Sequence, residues 1–327
     1  MSSPPLVLVT GATGFLGGHV CSWLTERGHR VRALSRRPGA APAGTEEAIV
    51  RGLDDTVGLR RVLEGVTTVI HLAAHVHRPH DRNGERTARA VNVEGTRALL
   101  DAAVAAGARR FAFASTVKAV GEGGDECWTE TTRPAPADAY GRTKLEAEGL
   151  VRAAAIRHGL HAPILRLPLV YGPGMQANAL RLFELVARGA PLPLGAVENR
   201  RSLLYAGNFV AALGAVLEHE AGSDLFFVSD GPPVSTPQLV REIAEALGRP
   251  ARLIPVPVAL MRAAARGGDL AARAVPFPLT SANLERLIGS LAVDGSKLER
   301  VLGFRAPYTR QAGLAATARW YLARRSD

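Results

Sequence analysis

Residues 6–18 read LVLVTGATGFLGG, a short apolar strand pattern that stops on glycines spaced three apart and restarts as a helix. Gly11 permits the tight turn, Gly14 lets backbone approach a pyrophosphate, and Gly17 lets helix and strand lie close. The N–H groups opening the helix, around Thr13, Phe15 and Leu16, offer the positive end of the helix dipole to an anion. A plain strand–helix turn also uses glycine. The strand before, the helix after and the position near the start of the chain favour dinucleotide binding.

Working outward, short apolar runs at 6–10, 30–34, 68–73, 110–115 and 162–167 alternate with helical spacing at 14–27, 56–64, 86–106 and 139–158. Strands alternating with helices predict an α/β fold of the Rossmann type, a doubly wound parallel sheet covered on both faces. The regularity breaks after Tyr171, where GPGMQ, PLPLG and SDGPPVSTP are loop-like between helical stretches such as 236–247 and 259–274. The expected division is a dinucleotide-binding domain over 1–168 plus about 203–230, and a smaller α/β substrate domain over 169–202 and 231–327. The smaller lobe is expected to close over the carboxyl edge of the sheet, where open α/β folds bind ligands.

The chain has 327 residues, 47% of them apolar, and a formal net charge of +10. That charge points to anionic partners. The arginines are scattered and only 5% of residues are aromatic, which argues against nucleic acid and for small anions. No apolar run is long enough to cross a membrane, and MSSPPLVLVTG has no basic start or cleavable core of a secretory signal. Cys21 and Cys127 fit no disulfide framework or metal spacing, so a reducing cytoplasm is expected, with Cys21 as a small core hydrophobe. Only three of the 40 basic residues are lysines: Lys118, Lys144 and Lys297.

The second strand ends Ser35-Arg36-Arg37, where NAD-binding units place an acid that accepts bonds from the adenosine ribose. An arginine there pairs with a 2′-phosphate through a charge-assisted fork, and Ser35 adds a hydroxyl. Solvated surface is the alternative reading. The pattern predicts preference for NADP(H), with NAD(H) also accommodated.

Tyr140-Gly-Arg-Thr-Lys144 opens a helical stretch, and positions i and i+4 share one face. A phenol ordinarily ionises near pH 10, and a neighbouring lysine cation brings it toward the working range. A surface Tyr–Lys pair would share this spacing. The strand RFAFAS leads into Ser115-Thr116 at the same edge, where a hydroxyl reaches a reacting oxygen, and Asn92 on the preceding helix binds backbone or a water in a proton relay.

With these residues in hand, the chain resembles the extended short-chain dehydrogenase/reductases of the nucleotide-sugar epimerase/dehydratase family. TGATGFLG, HLAA (71–74), VNVEGT (91–96), the Ser/Thr-bearing strand, YGRTK and RLPLVYGPG (166–174) stand in the family's order. The resemblance implies Tyr140 as acid/base, Lys144 as its helper, and Thr116, in preference to Ser115, as the hydroxyl on the substrate oxygen. It implies cofactor contacts along Leu53, Leu72, Ala73, Ala74, Leu167 and Pro168. Leu194 is implied among the substrate contacts, His77 near the sugar, Asn178 and Arg201 near the nucleotide diphosphate, and Asp294 near the sugar or nucleotide. It also implies a homodimer packed through helices at about 88–106 and 139–158, and no metal. His75, His77 and His80 accordingly read as a polar loop lining the sugar pocket.

Departures from the family pattern narrow the branch. Gly52 stands in the place of an adenine-binding aspartate, so that Leu53 backbone or Asp54 compensates. Ser202, Tyr205 and Asn208 replace acid, histidine and acid, and Leu169 replaces an asparagine. These changes resemble bacterial 4-epimerases and 4-keto reductases acting on UDP-N-acetylhexosamine derivatives. An epimerase recycles its cofactor and suits retained NAD. A reductase consumes hydride and suits dissociable NADPH, so the arginines tilt the expectation toward reduction of a UDP-4-keto sugar. The alternatives are a 4-epimerase, a hydroxysteroid- or flavanol-type reductase, and a cofactor-binding scaffold without catalysis.

Overall fold

A computed structural model describes residues 5–76, 84–219, 224–271 and 280–324. In chain order the first strands are β1 (Leu6–Thr10), β2 (Arg30–Ser35), β3 (Glu46–Ile49), β4 (Val66–His71), β5 (Arg110–Thr116) and β6 (Cys127–Trp128). The remainder are β7 (Ile164–Leu167), β8 (Leu169–Tyr171), β9 (Leu203–Tyr205), β10 (Leu225–Phe227) and β11 (Ala292–Val293). Seven of them form one parallel sheet in the order β10-β7-β5-β4-β1-β2-β3. The chain runs outward from β1 in one direction through β2 and β3, then returns to add β4 on the other side. That reversal opens a crevice beyond the carboxyl ends of β1 and β4, the place where such sheets bind ligands.

The expected α/β sheet is present, and both of its faces are buried as the two-residue strand period requires. Leu6 and Leu8 enter one apolar layer with Leu59, Leu99, Ala147 and Val151 from the covering helices Thr56–Val62, Gly95–Ala105 and Ala139–His158. Val7 and Val9 enter the other with Val20 and Leu24 of Phe15–Glu26 and Phe209 and Leu213 of Ala206–Glu218. Cys21 lies in this second layer, where burial pushes its thiol up to about 11 and leaves it an inert hydrophobe.

Two strands of this sheet escape the sequence pattern. β3 is EEAI with only Ala48 buried, so it carries no alternating apolar signal. Its glutamates serve the sheet edge instead, since Glu46 pairs with Arg30 and Arg32 across β2. β10 is three residues long and sits beyond the region of regular alternation. The stretch expected as one helix over 86–106 is broken into Gly84–Arg89, a π-helical turn Ala90–Glu94 and Gly95–Ala105.

A third apolar cluster is built mainly from helices Ala177–Ala187, Thr236–Ala246, Val258–Ala271, Ser281–Ile288 and Arg310–Ala323. Phe15, from the glycine loop, packs against it. Two small pairings fasten this region to the sheet's carboxyl side: β8 with β9, and β6 with β11.

Candidate active site

The glycine loop meets the requirements of a dinucleotide cradle. Gly11 has φ of +69°, and a Cβ there would lie 2.8 Å from Ala73 N, so the loop and the segment after β4 touch backbone to backbone. A Cβ at Gly17 would collide with Gly11 O and Ala12, so Gly17 seats the helix on the loop itself rather than only on the strand. Helix Phe15–Glu26 has neither a side-chain cap nor an acid in its first turn, which leaves its amide end for an anion. A cavity of about 350 Å³ opens there, lined by Thr13, Gly14, Phe15 and His19 on one side and Pro173, Gly174 and Gln176 on the other. Leu16 packs inward against the sheet layer, as does Leu72. The loop therefore fits the pyrophosphate of a dinucleotide.

At the end of β2 the Ser35 hydroxyl is engaged with Arg37, accepting from its N–H at 3.0 Å and donating to its carbonyl at 2.7 Å. Ser35 is thus a turn-former. Arg36 and Arg37 are exposed. Along the adjacent loop, a Cβ at Gly52 would collide with Asp54 Oδ1, so the Asp54 carboxylate leans into the space that a side chain at 52 would fill. Leu53 is half-buried and packs against the apolar layer beneath.

Tyr140 and Lys144 stand on Ala139–His158, a helix capped by Asp138, whose carboxylate accepts from Gly141 N at 2.6 Å. Burial, with the Asp138 charge adding to it, pushes the Tyr140 phenol up to about 12. Burial pulls Lys144 down to about 7, against the attraction of Glu148. The Lys144 ammonium donates to Ala114 O at 2.7 Å and lies 3.8 Å from the centre of the Phe113 ring. Thr116 closes β5 and caps the following 3-10 turn Val117–Ala119, accepting weakly from Lys118 N at 3.3 Å.

Ser115 belongs to a different structure. Its hydroxyl donates to Glu148 Oε1 at 2.6 Å, on the opposite face of β5 from Thr116 as strand alternation dictates. Asn92 is a clamp: its amide donates to His75 O and Thr143 Oγ1, both at 3.0 Å, and its oxygen accepts from His75 N at 2.7 Å. Both amide protons and the oxygen are engaged with protein, which fastens the His75 backbone to Thr143 of the tyrosine helix. The π-helical turn that carries it is the kind of local distortion that recurs at functional sites.

In the smaller region, the Arg201 guanidinium donates to the carbonyls of Arg286 and Gly289 at 2.8 and 3.0 Å, at the carboxyl end of Ser281–Ile288. Burial lowers its basicity. Leu194 is core, inside the third cluster. Asp294 accepts from Ser296 N at 2.9 Å, a local turn that opens the helix Ser296–Leu302. Asn178 lies on Ala177–Ala187, His75 is clamped by Asn92, Leu167 ends β7, and Ala74 and Pro168 follow the carboxyl ends of β4 and β7. His77 and His80 fall outside the described residues.

Three parts of the site escape the sequence reading. His71 is fully buried and bridges Thr10 (2.6 Å) and Thr96 (2.9 Å). Thr96 spends its proton on Asn92 O and Thr10 accepts from Ala73 N, so His71 is the neutral Nε2–H tautomer. Burial, followed by the Lys144 charge, lowers its pKa to about 3, in keeping with that state. The bonds run unbroken from the glycine loop to Asn92 and on to the tyrosine helix. Glu148 and Arg166 form a bidentate pair with both side chains buried, at 2.9 and 2.7 Å. A lone arginine inside the apolar run APILRL was the available signal. Lys118 ties Glu122 to Asp138.

A parallel sheet whose switch point faces a glycine loop, with a tyrosine and a lysine one helical turn apart at that edge, defines the short-chain dehydrogenase/reductase class. The chain belongs to the NAD dependent epimerase/dehydratase family, which it matches over residues 7–226. It is 35% identical to the UDP-glucose 4-epimerase of Vibrio cholerae, across 98% of this chain and 96% of that one. It is 29% identical to a 3 beta-hydroxysteroid dehydrogenase/Delta 5-->4-isomerase of Mycobacterium tuberculosis, across 97% and 90%. Among solved structures, MoeE5 in complex with UDP-glucuronic acid and NAD is 30% identical, covers 98% of this chain and 99% of its own, and superposes with a TM-score of 0.76.

Proposed function

We propose that the protein is a UDP-sugar 4-epimerase that inverts C4 of a UDP-hexose or UDP-N-acetylhexosamine with retained NAD. The carrying observation is the convergence of Thr116, Tyr140 and Lys144 at the sheet edge served by the glycine loop. Hydride would leave C4 for a bound nicotinamide and come back to the opposite face of that carbon. Tyr140 takes the proton from the C4 hydroxyl and returns it to the same oxygen once the 4-keto sugar has turned over. Thr116 holds that oxygen throughout, and Lys144 favours the phenolate by its charge while orienting the ribose. Gly11, Gly14 and the amide end of Phe15–Glu26 hold the pyrophosphate, with Leu53 and Asp54 beside the adenine. Arg201 faces the UDP diphosphate, supported by its position without a carboxylate partner among the described residues.

The expectation of a 4-keto reductase rests on Ser35-Arg36-Arg37. The Vibrio cholerae relative and the NAD in MoeE5 move the weight to epimerisation. Reduction with NADP(H) stays as the second reading, because Arg36 and Arg37 are exposed where a 2′-phosphate would lie. Supplying a UDP-4-keto-6-deoxy-N-acetylhexosamine with NADPH separates the two: the epimerase reading predicts no stoichiometric oxidation of NADPH. Arg36→Asp is then expected to leave turnover with NAD within a few-fold of the parent. A hydroxysteroid substrate, suggested by the mycobacterial relative, predicts no saturable binding of UDP. The division into 1–168 with 203–230, and 169–202 with 231–327, is the working boundary between cofactor and sugar lobes. Homodimerisation through the helices near 88–106 and 139–158 completes the proposal, supported by Ile156, which is 87% exposed on the second of them.

A further inference from the structure

Thr116 and Tyr140 come from different elements, β5 and the tyrosine helix, so their separation depends on what joins the two. The junction is tight. A Cβ at Gly141 would collide with Lys118 O, so the turn after β5 sits directly on the helix's first turn. The side chain of Lys118 then crosses the joint: its ammonium donates to Asp138 Oδ2 at 2.7 Å and to Glu122 at 3.0 and 3.1 Å. Asp138 is the cap of the tyrosine helix and lies two residues before Tyr140. Lys118 is also one of only three lysines in an arginine-rich chain.

Other charges around this helix are matched elsewhere. From Gly84–Arg89, Glu85 accepts from Arg142 and Arg89 pairs with Glu146. From the π turn, Glu94 pairs with Arg89 and with Arg97 of Gly95–Ala105, whose Asp101 is exposed. Along the helix itself, Glu148 pairs with Arg166 and Arg152 and stands one turn beyond Lys144. His71, behind Lys144, is neutral. Asp138 is the anion whose field bears on Tyr140. Burial works against ionisation of Asp138, but the Lys118 ammonium and the Gly141 N–H more than offset it and hold the carboxyl below its usual range.

We propose that Lys118 is a positioning residue that acts on Tyr140 through Asp138: it holds the hydroxyl-bearing end of β5 against the tyrosine helix and masks the carboxylate that opposes phenolate formation. The inference rests on Tyr140 being the proton-transfer group of the reaction proposed above. Both partners are about one-third exposed, 33% for Lys118 and 39% for Asp138, so the pair can be altered without opening the core.

The test uses the full-length protein loaded with NAD. Tyrosinate absorbance is titrated with pH, taking the difference from a Tyr140→Phe variant, and kcat for UDP-hexose epimerisation is followed over the same range. Lys118→Met is expected to raise the Tyr140 midpoint and the acid limb of kcat together by about half a unit to one unit. Lys118→Arg is expected to restore both. Asp138→Ser keeps a capping oxygen without the charge and is expected to move the midpoint down. Coincident titrations for Lys118→Met and the parent, or an upward shift in Asp138→Ser, would overturn the proposal. A parent protein with no epimerisation would instead overturn the functional reading, while the absorbance titration would still decide the role of Lys118.

Discussion

Tyr140 and Lys144 are set against each other by the same cause. Burial disfavours charge on both, so the phenol is held neutral while the amine is pulled toward neutrality, at about 12 and about 7. The proposed proton transfer would need the reverse, a phenolate beside an ammonium, and a positively charged nicotinamide would supply part of that bias. Replacing Tyr140 by Phe removes the proton carrier and is expected to lower kcat by about 10²–10⁴-fold with UDP affinity unchanged, measured by turnover and calorimetric titration. Lys144 also bears on stability. Its folded pKa lies below the ordinary value of 10.5, so the unfolded chain binds the proton more tightly. The penalty is full below about pH 7 and is relieved as pH rises toward 10.5. Lys144→Met is therefore expected to raise Tm near pH 7 while abolishing turnover, with the gap narrowing toward pH 10 in thermal melts.

Among the elements, the glycine loop is where sequence and structure agree most closely, because few backbones satisfy a buried strand, a positive-φ turn and an uncapped helix in succession. A Cβ at Gly17 has no room against Gly11 O and Ala12, so Gly17→Ala is expected to destabilise the protein by about 1–3 kcal/mol in denaturant melts. The expected helices and strands around the loop were legible because each carries a full apolar face. β3 was not, since its exposed glutamates exist to close an edge. The break at Ala90–Glu94 was hidden for another reason: it leaves the apolar spacing of 86–106 intact, and it stands beside a close approach of Gly95 to Leu53, 2.8 Å from a Cβ placed at Gly95, which is a tertiary fact. The shared helix of Tyr140 and Lys144 could be read from helical spacing, and the place of Thr116 from its strand end. That Ser115 serves the buried Glu148–Arg166 pair, and that Asn92 clamps His75, required knowing which face each side chain takes.

At the scale of the molecule, the reversal of strand order beside β1 brings the glycine loop, the Tyr140 helix and the end of β5 to one edge, and β8–β9 and β6–β11 fix the smaller region above it. Whether the cofactor carries a 2′-phosphate was the feature least legible in sequence, because two exposed arginines serve solvent as readily as a ligand. The chemistry at C4 is therefore best decided by turnover. The most direct measurement is a proton NMR time course of the purified protein with UDP-glucose or UDP-N-acetylglucosamine and no added reductant. The account predicts growth of the C4 epimer to a constant ratio, lost in Tyr140→Phe. An unchanged spectrum, alongside NADPH-dependent reduction of a UDP-4-keto sugar by the same preparation, would contradict it.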